Sequence, residues 1–242
     1  METKDLTLKE LVIKQPESAA LLEKYGLDFC CKGGRTIRDA CESKGLNYAE
    51  VEKEISNLIN RPHSEETDFA KMEPDALIDN ILQIHHSYVK EIMPVISAHT
   101  EKVARVHGEH HPEVIEIAKL FAQVKSELEH HMMKEEKILF PHIKLLAEAK
   151  RKGQHVEPPS FGTIRNPIRM METEHESAGS ALEEIKNLSS SFIPPADACT
   201  TYRVSFMELE KFTKDLHLHI HKENNILFPK AIALESKLLV LN

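Results

Sequence analysis

The sequence contains no tryptophan, only 8 glycines and only 5% aromatic residues. This composition is typical of helical proteins and disfavours a β-sandwich or β-barrel. No stretch approaches the roughly 18 uncharged apolar residues of a membrane span, and the N-terminus lacks the apolar core of a secretory signal. We therefore expect a helical protein of the cytoplasm that does not bind membranes.

A basic surface and a disulfide framework are also missing. The net charge is -8, whereas a protein that follows nucleic-acid phosphates needs a clustered basic face. Of the four cysteines, Cys30 and Cys31 are adjacent, and adjacent cysteines rarely bridge because the resulting ring is strained. These features exclude nucleic acid as the expected partner and predict reduced thiols in a reducing compartment.

The chain divides into a small helical N-terminal module (residues 1–60), a polar linker (61–73) and a long helical region (74–242). In the module, Thr7 is a predicted helix cap, and Pro16 and Gly26 are a predicted helix start and stop. The long region contains four helical patterns, at about 74–106, 112–150, 164–190 and 197–237. Four long helices with short connections predict an antiparallel bundle, and we expect Pro94 to bend the first helix.

One motif occurs twice in the long region. "HMMKEEKILFP" begins at His131 and "HIHKENNILFP" begins at His219, and in each copy the histidine precedes a glutamate, Glu135 or Glu223, by four residues. Side chains four residues apart share a face of a helix. The "ILFP" segments are interpreted as core packing and a helix bend.

The two remaining helices each place one histidine, His86 or His175, in an apolar stripe, and the stripe of the second helix continues to Ile138. Burying histidines and glutamates without compensation would strongly destabilise the fold, and metal coordination supplies that compensation. Four imidazoles and two carboxylates that can bridge suit a pair of ions, and mixed nitrogen and oxygen ligands favour iron or manganese over a thiolate zinc site. The predicted ligands are His86, His131, Glu135, His175, His219 and Glu223.

Several neighbours resemble these ligands. His85 and His130 lie one position off the apolar stripes, so we expect them in solvent. Glu136 aligns with Asn224 in the other copy of the motif and is therefore the weaker ligand candidate.

Three further residues lie near the predicted ligands. Glu127 and Glu174 are either hydrogen-bond acceptors for the ligand N–H groups or exposed helix charges. His107 either reaches the mouth of the site or is a solvated loop histidine.

The stretch "GLDFCCKGGRTIRDAC" carries the adjacent cysteines beside Lys32, two glycines and Arg35. This electropositive setting predicts thiolates at Cys30 and Cys31. Such thiolates would serve redox exchange or transient metal capture. The alternative is that the cysteines are two small residues packed at a turn.

Four segments in order, "DFCCKGGRTIRDAC", "HMMKEEKILFP", "METEHESAG" and "HIHKENNILFP", resemble the iron–sulfur cluster repair di-iron proteins, the family of the YtfE and ScdA proteins. The resemblance covers essentially the whole chain. It implies a hemerythrin-like four-helix bundle preceded by a small domain. It also implies two non-haem irons, oxo- or hydroxo-bridged, held by the six predicted ligands with Glu135 and Glu223 as bridges.

The resemblance further implies that the chain helps to restore iron–sulfur clusters damaged by oxidative or nitrosative stress, by donating iron to damaged client proteins. An alternative is a redox enzyme that binds nitric oxide or dioxygen at the di-iron centre and reduces it. A third reading is a sensor or carrier in which ligand binding only changes conformation. The exposed cysteine module is compatible with a homodimer.

Overall fold

The computed structural model describes residues 6–59 and 69–238. These residues form an all-α protein, and their single β feature is an isolated antiparallel bridge between Thr7 and Thr36. The predicted linker lies partly outside the described residues, at 61–68, and Phe69–Lys71 forms a short 3-10 turn. None of the described helices combines the length and the apolar character needed to cross a bilayer.

Four short helices form the N-terminal module: α1 (Leu8–Lys14), α2 (Ser18–Lys24), α3 (Ile37–Ser43) and α4 (Tyr48–Ile59). The predicted cap at Thr7 is confirmed, because its hydroxyl accepts the Glu10 N–H while the Glu10 carboxylate accepts the Thr7 N–H. This capping box satisfies two N–H groups that the first helical turn leaves free. Gly26 follows α2 with a φ of 63°, a conformation that glycine adopts without steric cost.

Four helical rods form the bundle, and their ends agree with the predicted patterns to within three residues. The first rod consists of α5 (Pro74–Asn80), a π-helical turn (Ile81–His86) and α6 (Ser87–His107), and the second consists of α7 (Glu113–Lys134), a π turn (Glu135–Leu139) and α8 (Phe140–Lys152). The third rod is a single helix, α9 (Arg165–Leu188). The fourth rod consists of α10 (Thr200–Lys222), a π turn (Glu223–Leu227) and α11 (Phe228–Leu238). Helix α6 continues through Pro94, and the bend expected there stays a prediction.

The rods pack in cyclic order: α6 contacts α7 and α10, and α9 contacts α7 and α10. Two apolar clusters fill the interior, one including the edge-to-face pair Phe121 and Phe212 and the other including Phe140 and Phe228. Each buried aromatic or aliphatic side chain stabilises the fold by about 1.5–3 kcal/mol. The predicted ligands belong to neither cluster: His86, Glu135 and Glu223 lie on the π turns, and His131, His175 and His219 lie on α7, α9 and α10.

The N-terminal module packs on the fourth rod. The Phe29 ring is buried and lies edge-on to His221, with ring centroids 5.5 Å apart. Asn225 Nδ2 donates to the carbonyls of Phe29 and Cys30, each at 3.3 Å. The module and this half of the bundle share one apolar cluster, so the two units are held together by a common core.

Candidate metal centre

Each of the three π turns borders a predicted ligand. One ends at His86, and the others begin at Glu135 and Glu223. A π turn bonds residue i to i+5, so it contains one more residue than an α turn. Pro141 and Pro229 follow the second and third π turns; because proline lacks an N–H and clashes with the carbonyl four residues earlier, a wider turn accommodates it. The "ILFP" segments therefore mark π turns as well as core packing.

The six predicted ligands lie together as two overlapping groups. One group is His86, Glu135, His219 and Glu223, and the other is His131, Glu135, His175 and Glu223. Within each group the donor atoms lie within 4.8 Å of one another. Both glutamates belong to both groups, and all six side chains are at most 2% exposed. This is the arrangement that two ions sharing two carboxylates would require.

The two carboxylates each face a pair of imidazoles. Glu135 Oε2 lies 3.4 Å from both His86 Nε2 and His131 Nε2. Glu223 Oε1 lies 2.9 Å from His219 Nε2, and Glu223 Oε2 lies 3.2 Å from His175 Nε2. Every histidine thus presents Nε2 to the interior of the centre.

Several buried polar atoms of the centre lack a hydrogen-bond partner among the described residues. They include both carboxylate oxygens of Glu135, Oε2 of Glu223 and Nε2 of His86. Burying a charge without a partner costs several kcal/mol, so these polar groups would strongly destabilise the fold if nothing bound to them. Metal ions would use these lone pairs, and the mixed nitrogen and oxygen donors suit iron or manganese. The residues therefore fit a pair of metal ions.

Three of the four histidines are oriented by a hydrogen bond from the opposite ring nitrogen. The Nδ1 donors and their acceptors are His131 to Glu174 at 2.8 Å, His86 to Glu136 at 2.7 Å, and His175 to Asn224 at 2.8 Å. Lys134 and Lys90 in turn donate to Glu174 and Glu136. Such partners fix the ring orientation and leave Nε2 free for a metal.

His219 differs from the other three histidines. Its Nδ1 is buried without a partner among the described residues, and its ring stacks on His85 with centroids 5.3 Å apart. The expectation that His85 lies in solvent is wrong, because the π turn directs both His85 and His86 inward. His85 Nδ1 donates to Asp215 at 3.0 Å, and Lys222 Nζ donates to His85 Nε2 at 2.8 Å.

The charges of the centre are shared between carboxylates and imidazoles. Burial alone disfavours a charged imidazole, yet the Glu135 carboxylate raises the pKa of His131 to about 9. Burial disfavours a charged Glu223, yet His219 and His175 hold the pKa of this carboxyl well below its usual range. Both carboxylates are therefore ionised, and Glu135 favours protons on the His86 and His131 rings despite their burial, whereas burial lowers the pKa of the His219 ring. Metal cations would replace those protons without adding uncompensated charge.

Known proteins resemble this chain over almost its whole length. Residues 77–231 match the Hemerythrin HHE cation binding domain, and residues 4–59 match ScdA_N, a domain of unknown function. The iron-sulfur cluster repair protein YtfE of an Enterobacter species is 36% identical over 96% of this chain and 99% of that protein. YtfE of Citrobacter koseri shows the same identity and the same coverage. The chain belongs to the iron–sulfur cluster repair protein family.

In this member of the repair-protein family, two candidates do not join the centre. Glu127 accepts hydrogen bonds from Gln123 at 2.8 Å and Ser177 at 3.3 Å, and it contacts no predicted ligand. His107 Nε2 lies 3.2 Å from Cys199 Sγ, and its ring packs on Tyr202, so of its two predicted alternatives the structure does not support a place at the mouth of the site.

Sequence reasoning about this family member missed three contributors: Glu136, Asn224 and His85. Glu136 and Asn224 occupy the same position of the two motif copies, immediately after a shared glutamate. The mismatch between Glu136 and Asn224 argues against ligation, and each of them instead orients a histidine of the preceding rod. The matching position in both copies was the available signal for this role.

The adjacent cysteines of the repair-protein chain lie in the module that packs on α9 and α10. Cys30 is buried, and the neighbouring Cys31 thiol, burial and the Asp28 carboxylate all raise the pKa of the Cys30 thiol well above its usual range. The prediction that the basic residues favour a thiolate at Cys30 is therefore wrong. The Cys31 thiol and burial are the larger causes of this shift, and the Asp28 carboxylate, 3.2 Å from Cys30 Sγ, adds to them.

Proposed function

We propose that this chain holds two iron ions in its centre and repairs damaged iron–sulfur clusters by donating iron to client proteins. The supporting observation is the pair of buried carboxylates, Glu135 and Glu223, that belong to both donor groups. The relatives named as iron–sulfur cluster repair proteins align along nearly the full chain, which supports the same role here. We further propose residues 1–60 and 74–242 as two domains with separate tasks.

The centre's own residues divide the work of holding the ions. The four histidines and two glutamates would coordinate them, and two bound irons would supply redox-active, exchangeable metal. Glu174, Glu136 and Asn224 keep three of the rings aimed at the interior. The ring of His219 lacks such a partner among the described residues. We therefore place the exchangeable ion on the side of His86 and His219.

The test of this function begins with protein purified without oxygen, for which we expect two irons per chain by elemental analysis. The iron-loaded protein is then mixed with an enzyme whose iron–sulfur cluster has been destroyed by nitric oxide. We expect enzyme activity to return faster than with the same concentration of free iron(II). Recovery no better than free iron would overturn the donation proposal.

A matched pair of variants makes this test specific. Glu223→Gln removes a shared carboxylate and should abolish both iron loading and repair. Glu127→Gln changes the same residue type at a site that contacts no predicted ligand, so it should repair like the unchanged protein. Sustained consumption of nitric oxide with a reductant, lost in Glu223→Gln, would instead support a reducing enzyme.

A further inference from the structure

A second cluster of metal-type donors lies in the N-terminal module, in the loop between α2 and α3. The donor atoms of Asp28, Cys30 and Cys31 lie within 4.8 Å of one another. Asp28 Oδ1 accepts the backbone N–H groups of Cys30 at 3.0 Å and Cys31 at 2.9 Å. The loop is thus folded around the carboxylate, and this fold places both sulfurs beside it.

The distance between the two sulfurs matches the distance between two thiolates bound to one tetrahedral metal ion. Cys30 Sγ and Cys31 Sγ are 3.8 Å apart. A tetrahedral ion bound to two thiolates at about 2.3 Å separates its sulfurs by about 3.8 Å. A disulfide would require about 2.0 Å. The loop therefore holds the thiols at the separation that a shared ion needs.

We propose that Asp28, Cys30 and Cys31 form a second metal site that binds one soft divalent cation. Two thiolates and one carboxylate favour such ions over magnesium or calcium. The assignment of iron(II) as the natural ion rests on the proposed function, in which iron is the cargo. The site then holds iron that enters or leaves the centre.

The surroundings leave the site accessible. The three residues line a cleft of about 1330 Å³ between the module and helices α9 and α10. Cys31 is only partly buried. A fourth ligand position can therefore be taken by water or by a group of a client protein.

The site also lies close to the centre in the bundle. Gly179 of α9 faces Cys31, since a Cβ at this glycine would lie 3.8 Å from the sulfur. Gly179 follows His175 by four residues, about 6 Å along the helix axis. Asn225, which bonds the Cys30 carbonyl at 3.3 Å, follows Glu223 by two residues. The thiol site therefore borders the helical segments that carry His175 and Glu223.

Protons compete with the metal ion for the two thiols, so we expect the site to hold an ion only transiently. Cys30 Sγ donates its hydrogen to Asp28 in the metal-free protein. When an ion binds, each thiol forms a sulfur–metal bond and releases one proton to solvent, so affinity rises with pH. No electron transfer is needed in either direction.

The experiment uses cobalt(II) as a spectroscopic probe of the full chain under reducing, oxygen-free conditions. Thiolate ligation of cobalt gives a charge-transfer band in the near ultraviolet, whereas histidine and carboxylate ligation does not. We expect this band to reach the intensity of one thiolate-bound cobalt per chain, and to bleach when iron(II) is added in large excess, because cobalt(II) binds such donors more tightly than iron(II). A missing band would overturn the site, and a band that iron(II) leaves unchanged would overturn the assignment to iron.

The variants separate ligation from folding. Cys31→Ser should abolish the band, and Cys199→Ser, which changes an exposed cysteine outside the cluster, should leave it unchanged. Asp28→Asn keeps an oxygen for the two backbone N–H groups but removes the negative charge. We therefore expect the dissociation constant of cobalt(II) at this site to rise about tenfold. Equal bands in Cys31→Ser and the unchanged chain would contradict the proposal. Circular dichroism checks that each variant is folded.

A further variant separates this inference from the proposed function. Glu223→Gln lacks a shared ligand of the bundle centre but keeps all three residues of the thiol site. We expect it to lose metal from the bundle and to retain the cobalt–thiolate band. An unchanged chain that loads two irons but shows no band would overturn only the thiol site. A band without iron in the bundle would overturn only the di-iron proposal.

Discussion

At the scale of single residues, the centre depends on acceptors that hold the imidazole rings. Glu174 and Glu127 are indistinguishable by sequence reasoning, since both are helix glutamates close to predicted ligands. In the structure only Glu174 bonds a ligand, through His131 Nδ1 at 2.8 Å. The difference arises from the packing of α7 against α9, which brings residues 43 positions apart into contact. A single sequence does not contain that pairing.

This difference gives a paired prediction. Glu174→Ala should weaken metal binding by about 10–100-fold, because His131 loses the partner that fixes its ring. Glu127→Ala should leave metal binding unchanged. Competition with a chromophoric chelator measures both affinities. Equal affinities for the two variants would show that the orientation of His131 does not limit binding.

His221 gives a second residue-scale prediction, on pH. Burial lowers the pKa of His221 to about 4, below the value of about 6.5 for an unfolded chain. The unfolded chain therefore binds the proton more readily than the folded chain. As a result, protonation of His221 does not reduce the unfolding free energy above about pH 6.5, but it reduces it progressively as the pH falls toward 4. At pH 5 the loss amounts to about 2 kcal/mol.

The corresponding test compares the unfolding free energy of metal-free protein at about pH 8 and pH 5, by urea denaturation. His221→Gln should reduce the pH dependence by about 2 kcal/mol, since glutamine does not titrate. His130→Gln changes an exposed histidine and should retain the full dependence. If the unfolding free energy depends on pH equally in both variants, a group other than His221 causes the loss of stability in acid.

At the scale of helices, periodicity predicted the rods and most of their inner faces. The apolar stripe predicted around His175 on α9 is entirely buried; its six residues are Ile168, Met171, His175, Ala178, Leu182 and Ile185. The second rod departs from the prediction after Glu135: Ile138 is 49% exposed and Leu139 only 1%. The extra residue of the π turn rotates every later side chain, and a constant 3.6-residue period does not include it. The same cause explains why His85 was wrongly expected in solvent.

The π turn of the second rod therefore predicts which of two adjacent side chains stabilises the fold. Leu139→Ala should lower the unfolding free energy by about 2–5 kcal/mol, because it leaves a cavity. Ile138→Ala should change it by no more than about 0.5 kcal/mol, as expected for a surface site. Urea denaturation of the two variants compares them directly. The reverse order would mean that an uninterrupted α-helix runs through Glu135–Leu139.

At the scale of the whole molecule, the module and the bundle behave as one packed unit. The sequence motifs predict two units and contain no signal for the contact between them. That contact joins residues nearly 200 positions apart, such as Glu23 and His217, whose Oε1 and Nδ1 are 3.1 Å apart. It brings the cysteine loop onto the π turn that carries Glu223. The thiol cluster and the His/Glu centre are therefore neighbours because of the docking of the module.

Asn225 makes this docking testable, since its side chain bonds the carbonyls of Phe29 and Cys30. Removing both bonds in Asn225→Ala costs about 1–3 kcal/mol of local stability. We therefore expect amide hydrogen exchange in residues 27–31 to accelerate by about tenfold or more, while exchange in the middle of α7 stays constant. Asn187→Ala, on the wall of the same cleft, should leave exchange at 27–31 unchanged. If exchange in the loop is insensitive to Asn225→Ala, the Phe29 ring alone holds the module on the bundle.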